Sequence, residues 1–346
     1  MTTQILESPA VTLEGGYIMR PATLDDVAGA VAVFNACSRQ LLGVEEFNAD
    51  NYRVEWEIPG LNLETDVRVV VAPDGKVVAC MEVWDLLDSH VRVNFFGRVH
   101  PDHQERGIGT ALVRWAEARA GQAVDKAPEG TRVFMLTGVL DANRDAQGLF
   151  RSEGFELVRH HWRMVIEMDV NAPPPAPELP DGIVVRPLRF GQDDRVAIQA
   201  VRESFRDHWA YVEPPFEEEI ERWQHFMKND KDFDPSIWFL AWDGGEVAGV
   251  SLCWPKTNDD PDMGWVGTLG VRRPWRRKGL GLALLLHSFG EFYRRGRRRV
   301  GLGVDAQSLT GATRLYEKAG MRVARVYDNY EKELRPGVDL STQSVQ

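Results

Sequence analysis

Apolar residues recur along this chain in two rhythms, one strand-like and one helical. Tyr17-Ile18-Met19-Arg20-Pro21 and Val184-Val185-Arg186-Pro187 read as short strands. Val67-Arg68-Val69-Val70-Val71 and Ile237-Trp238-Phe239-Leu240-Ala241 are rich in β-branched and aromatic residues and predict buried strands. Pro73-Asp74-Gly75-Lys76 follows the first and Asp243-Gly244-Gly245-Glu246 the second, each a hairpin turn signal. Further on, Leu282, Leu285, Leu286, Phe289 and Tyr293 fall at helical spacing. Arg299 to Val304 predicts another strand, a short helix follows, and Val323 to Leu334 predicts the last strand. The order is that of an α/β protein with a mixed sheet, of the α+β kind.

The pattern occurs twice. Arg20 corresponds to Arg186, Gly107 to Gly279 and Gly154 to Gly320, at offsets of 166, 172 and 166. Val99 to Gly109 matches Val271 to Gly281 without a gap. A drift of this size is what loop insertions produce, and the period is too long for a solenoid, so the chain is a duplicated domain. Between the copies, Val170 to Gly182 holds five prolines in thirteen residues, the composition of an extended spacer. The expected division is a first domain over 17–168, a linker over 169–182 and a second domain over 183–335.

Composition narrows the function classes. The chain has 346 residues and a net charge of −11, which disfavours non-specific binding to nucleic acid or anionic membrane. Hydrophobic residues at 43% and charged residues at 27% exclude wholesale disorder. Cys37, Cys80 and Cys253 are too scattered for a disulfide framework or a thiolate zinc site. Met1 to Ser8 has neither basic residues nor an apolar core, so it does not read as a signal peptide. No apolar run approaches the ~18 residues a membrane span needs. A cytoplasmic location is expected.

The chemistry concentrates where a strand turns into a helix. Thr268 to Gly281 holds Arg272, Arg273, Arg276, Arg277 and Lys278 around Gly279 and Gly281. Glycines let the backbone approach a ligand, and the free N–H groups of a helix start favour an anion, so the stretch describes a pyrophosphate cradle. Gly97 to Gly109 repeats it with fewer charges. No P-loop signature is present, and Gly301-Leu302-Gly303-Val304-Asp305-Ala306 lies within an expected strand, which excludes a Rossmann site.

Arg276-Arg277-Lys278-Gly279-Leu280-Gly281 and Gln104-Glu105-Arg106-Gly107-Ile108-Gly109 both fit [Q/R]-x-x-G-x-[G/A], and Asp305 to Met321 carries an L-Y-x-x-x-G run. On these motifs both halves resemble the GNAT superfamily of acyltransferases, in a tandem layout similar to that of mycothiol synthase. The resemblance implies acetyl-CoA as co-substrate, bound through Leu269, Gly270, Val271, Arg276 to Gly281 and Ser308 in copy two, and through Val99 and Gln104 to Gly109 in copy one. It implies that the Val271 N–H polarises the thioester carbonyl and that Tyr316 protonates the departing thiolate. A small-molecule amine is the expected acceptor, attacking directly. Copy one has Phe150 at the tyrosine position, which cannot donate a proton, so it is expected to be catalytically weak or silent. Ser308 stands where the family often has Asn.

No glutamate precedes the copy-two loop, so Asp262, Glu203, Asp207 and His208 are the base candidates. Glu203 to Glu213, with Trp223, falls where the acceptor-binding helices are expected, and its aromatics beside carboxylates suit a cationic amine. Arg294 to Arg299 reads as a complement to a helix C-terminus or a contact for the coenzyme's 3′-phosphate. His100 with His103, and His160 with His161, read as structural rather than metal-binding. The competing readings are an acyl-CoA-binding sensor or scaffold and a protein N-acetyltransferase. Either a monomer of pseudo-dimeric domains or a homodimer is expected.

Overall fold

The computed structural model describes residues 10–344, so the reading of Met1 to Ser8 falls outside the described residues. The chain forms two compact units. One runs through Val158 and includes Tyr327–Leu340; the other comprises Arg159–Val326 and the residues from Ser341 onward.

In the first unit the elements are β1 (Val11–Thr12), β2 (Ile18–Pro21), α1 (Val27–Leu42), α2 (Ala49–Trp56), β3 (Val67–Val71), β4 (Val77–Trp84), β5 (Arg92–Val99), α3 (Ile108–Gly121), β6 (Val133–Leu140) and α4 (Arg144–Ser152). β7 (Glu156–Glu167) begins here and passes into the second unit. That unit continues with β8 (Ile183–Pro187), α5 (Asp194–Phe205), α6 (Phe216–Asn229), β9 (Trp238–Asp243), β10 (Glu246–Trp254), β11 (Met263–Val271), α7 (Leu280–Arg294), β12 (Arg299–Asp305) and α8 (Ala312–Lys318). β13 (Arg322–Arg335) then returns to the first unit.

The sheet of the first unit has the order β1-β2-β3-β4-β5-β6-β13, and that of the second β8-β9-β10-β11-β12-β7. Neighbours are antiparallel except β5/β6 and β11/β12, which are parallel. The expected division at 168 and 335 therefore needs correction. The strand after each copy's Gly154 or Gly320 pairs in the other unit: His161 lies opposite Asp305 on β12, and Tyr330 opposite Thr137 on β6. Both final strands present similar alternation to similar neighbours, so sequence does not specify which copy each joins. Residues 169–182 contain no helix or strand.

The apolar rows identified in the sequence form the cores. Ala30, Val33 and Phe34 of α1 pack with Val67 and Val69 of β3. In the second unit Ile198 of α5 and Leu285 and Phe289 of α7 bury with Val250 and Val300. Burying each such large side chain stabilises by about 1.5–3 kcal/mol.

These cores hold two parallel strands that separate. β5 pairs with β6 only from Arg92 to Asn94, and β11 with β12 only from Met263 to Val266. Both β5 and β11 run five residues further. On β11 the divergence starts at a bulge: Cys253 faces Val266 and Leu252 faces Thr268, which leaves Gly267 without a partner. A Cβ on Gly267 would lie 2.4 Å from the Trp254 ring, so only glycine fits there.

Candidate active site

Beyond each splayed strand the chain makes a short 3-10 turn, Pro101–His103 or Arg273–Trp275, and enters the glycine loop. Glu105 (φ 59°) and Arg277 (φ 61°) are left-handed without being glycine, and Gly107 (φ 74°) and Gly279 (φ 85°) follow as helix N-caps. Alternating handedness turns successive N–H groups to one side, which makes an anion nest on top of the helix start. A Cβ on Gly107 or Gly279 would meet nothing within 4 Å, so the space over both nests is open. The last glycines serve packing instead: a Cβ on Gly109 would lie 3.1 Å from Leu149, and one on Gly281 3.1 Å from Leu315. The left-handed Glu105 and Arg277 were not foreseen; their matching places in the two motifs are the signal that marks them.

The five cations of the copy-two loop do not all face the nest. Arg272 Nε donates to Glu203 at 2.6 Å, and Arg273 Nε to Asp207 at 3.0 Å. Arg276 turns inward, donating to the Val271 carbonyl at 2.9 Å, to the Ser204 carbonyl at 3.1 Å and to Asp207. Arg277 and Lys278 are exposed and form no ion pair among the described residues. The Arg276 side chain is thus committed to Asp207 and two carbonyls rather than left free over the nest. Gly270 is also not open to a ligand side-on. It is buried, and a Cβ on it would lie 2.7 Å from Ser204 of α5.

A cavity of about 160 Å³ fills the splay of β11 from β12. Leu269, Ser308 and Tyr316 line it, together with His161, Asp207, His208 and Trp209, while Val271 and Arg276 to Gly281 do not. Ser308 Oγ accepts from the N–H of Ala312, the first residue of α8, at 3.3 Å. Tyr316 of α8 is buried, burial pushes its phenol up to about 12, and its hydroxyl makes no hydrogen bond among the described residues. It therefore keeps its proton at neutral pH.

In copy one the same splay is filled. Phe95 stands where copy two has Gly267. Its ring lies 5.8 Å from Phe150 and 5.4 Å from Phe155, and Phe150 lies 5.7 Å from Tyr330. The cavity of copy one, about 310 Å³, lies instead toward the loop. Val99, Gln104, Glu105, Gly107, Ile108 and Gly109 line it, and Arg106 does not. The Gln104 side chain also reaches the Val99 carbonyl, at 3.3 Å. Asn143, which the sequence reading passed over, lines this cavity and accepts the Ala146 N–H at 3.1 Å; Asn143-Arg144-Asp145-Ala146 is the signal that was available.

The base candidates separate clearly. Glu203 is held below its usual range against desolvation by Gln199 and Arg272. The Arg273 hydrogen bond, with Arg276, brings Asp207 down to about 2, so it does not accept a proton near neutrality. Asp262 is largely exposed, pairs with Arg297 at 3.0 Å and does not line the cavity. His208 does line it, stacked 4.1 Å from Phe205, and burial followed by Arg276 lowers its imidazole to about 4. His161 was read as structural, yet it lines the cavity too and is lowered by burial.

The expectation of carboxylates open to a cationic amine is corrected. Asp207 is held by two arginines, Asp305 takes a bidentate contact from Arg159 (2.9 and 3.1 Å), and Glu213 binds Arg202 and Arg206. Trp223 packs against Trp238 in the core. Arg294, Arg295, Arg297 and Arg299 pair with Glu291, Asp234, Asp262 and Asp260, and Arg298 lies over the Tyr293 ring. Among the described residues no cluster of three or more His, Cys, Asp or Glu could hold a metal ion, and no helix is long and apolar enough to cross a membrane.

The buried His208 makes stability depend on pH. Its folded pKa lies below the ordinary ~6.5, so the unfolded chain takes up the proton first as pH falls. The contribution is complete above about 6.5 and is lost between there and about 4. Thermal melts should show His208→Gln losing less stability than the wild type over that interval.

Comparison with known proteins agrees with this geometry. The family model described as Acetyltransferase (GNAT) family matches residues 198–321, and the Acetyltransferase (GNAT) domain matches residues 65–157. A mycothiol acetyltransferase from Nocardiopsis dassonvillei is 32% identical over 251 residues, 64% of this chain and 69% of that protein. A GCN5-related N-acetyltransferase from Sphaerobacter thermophilus superposes with a TM-score of 0.75 at 37% identity, covering 96% of this chain and all of that one (100%). A tandem GNAT protein from the clavulanic acid biosynthesis pathway gives a TM-score of 0.67 at 15% identity over 93% of this chain and 99% of that one, a likeness of fold alone.

The chain belongs to the GNAT family of acetyltransferases, with two GNAT domains in tandem. It is an N-acetyltransferase that uses acetyl-CoA as co-substrate, which sets aside the non-catalytic sensor reading.

Proposed function

We propose that the C-terminal unit transfers the acetyl group to a primary amine of a small molecule, and that the N-terminal unit binds acyl-CoA without turning it over. The observation that carries this reading is what each copy's cavity reaches: the Tyr316 phenol in one copy, and in the other Phe150, which has no proton to give and packs against Phe95 and Tyr330.

In this account the nest at Arg276 to Gly281 holds the diphosphate, with Arg277 and Lys278 adding charge. Leu269 to Val271 offers the free strand edge along which the pantetheine arm lies. The acceptor amine loses its proton to solvent, since burial holds His208 down to about 4, and Tyr316 gives its proton to the departing sulfur. Proximity of amine and thioester in a small cavity supplies much of the acceleration. The name of these relatives, mycothiol acetyltransferase, makes a mycothiol-related amine the first acceptor to test.

The test is release of CoA thiol by the full chain with a panel of small amines, a mycothiol-related amine and N-terminal peptides. Turnover with a small amine is expected. Turnover with peptides alone would favour protein acetylation, and binding of acetyl-CoA with no turnover would overturn the reading. Restoring a phenol in copy one should not wake it, because Phe95 still fills the space. Phe150→Tyr in a Tyr316→Phe background should remain as inactive as Tyr316→Phe alone in the same assay.

A further inference from the structure

The two copies differ in what lies between the nest and the cavity floor. In the N-terminal unit one cavity extends from Gln104 and Gly107 to Phe150, and α1 contributes Leu41 to its wall. The buried rows of α1 and α5 align at an offset of 167, so the counterpart of Asp207 is Gln40, which also lines that cavity. Asp207 is 1% exposed and binds both Arg273 and Arg276. Arg276 also spans from the loop to the carbonyls of Val271 on β11 and Ser204 on α5, whereas its counterpart Gln104 reaches only Val99. The C-terminal cavity touches Asp207, and its lining ends short of the loop.

We propose that the Asp207–Arg276 ion pair is a bar across the path from the anion nest to Tyr316, and that acyl-CoA must part it to bind. This rests on reading Arg276 to Gly281 as the acyl-CoA loop. An arriving diphosphate gives the loop arginines a second anionic partner beside the nest. Arg273, the more exposed of the two, can exchange to it first, which leaves Asp207 with one cation instead of two. The bar makes the C-terminal site charge-gated. Copy one has the uncharged Gln40 at the Asp207 position and needs no such step.

The test is calorimetric titration of acetyl-CoA into the full chain carrying Gly107→Val, so that only the C-terminal site responds. Adding Asp207→Asn removes the bar and should tighten binding about tenfold. Adding Glu203→Gln removes an equal charge from the same helix, where Glu203 binds Arg272, but leaves the bar; it should change affinity by less than about twofold. Equal tightening in both, or none in Asp207→Asn, overturns the gate. Adding Gly279→Val separates the two ideas: if it abolishes binding while Asp207→Asn does nothing, the loop stands and the bar falls. If it changes nothing, the loop assignment falls. Should Asp207→Asn not fold, a wild-type crystal soaked with CoA decides. Arg276 should have left Asp207, and a diphosphate on the loop with the pair intact overturns the proposal.

Discussion

Tyr316→Phe should lower kcat by about 10²- to 10³-fold, the usual contribution of a positioned acid, and leave acetyl-CoA affinity nearly unchanged. The ring packs at the buried edge of the cavity, and phenylalanine keeps that packing while losing only the hydroxyl. Because the hydroxyl has no hydrogen-bond partner among the described residues, removing it orphans no buried group, so the melting temperature should hold. With the phenol pushed up to about 12, the donor stays protonated through the neutral and moderately alkaline range. The wild-type rate should therefore show no alkaline fall attributable to Tyr316 below that value. Steady-state kinetics with saturating amine, alongside a melt, checks all three statements.

Gly279→Val should weaken acetyl-CoA binding at the C-terminal site by about 2 kcal/mol or more, roughly thirtyfold. Two effects add. The residue sits at φ +85°, where a β-branched side chain costs about 1–3 kcal/mol of strain. The Cβ would project into open space, the space that the proposed diphosphate would occupy. Calorimetry gives the affinity, and a modest drop in melting temperature should accompany it.

Much of this was legible in the sequence because it rests on local chemistry. Gly75 (φ 86°) and Gly244 (φ 55°) close the two hairpins where their turn signals placed them, and the glycine loops lead into helices at Ile108 and Leu280. Tyr316 and Ser308 reached the cavity wall because helix register is set by a short motif. What escaped depends on tertiary choice. The exchange of β7 and β13 was hidden because both strands suit either sheet. With it was hidden His161, which reaches the cavity only because β7 lies on β12. The inward turn of Arg276 depends on Asp207, sixty-nine residues away in sequence. The plugging of copy one needs Phe95, Phe150, Phe155 and Tyr330 together, and no single one of them announces it.

The most direct test of the account is a mirrored pair of variants, Gly279→Val and Gly107→Val, compared in single-turnover acetyl transfer to one good amine acceptor. Acetyl transfer should collapse in Gly279→Val and persist in Gly107→Val. Persistence in Gly279→Val with collapse in Gly107→Val would place the chemistry in the N-terminal unit and contradict the account.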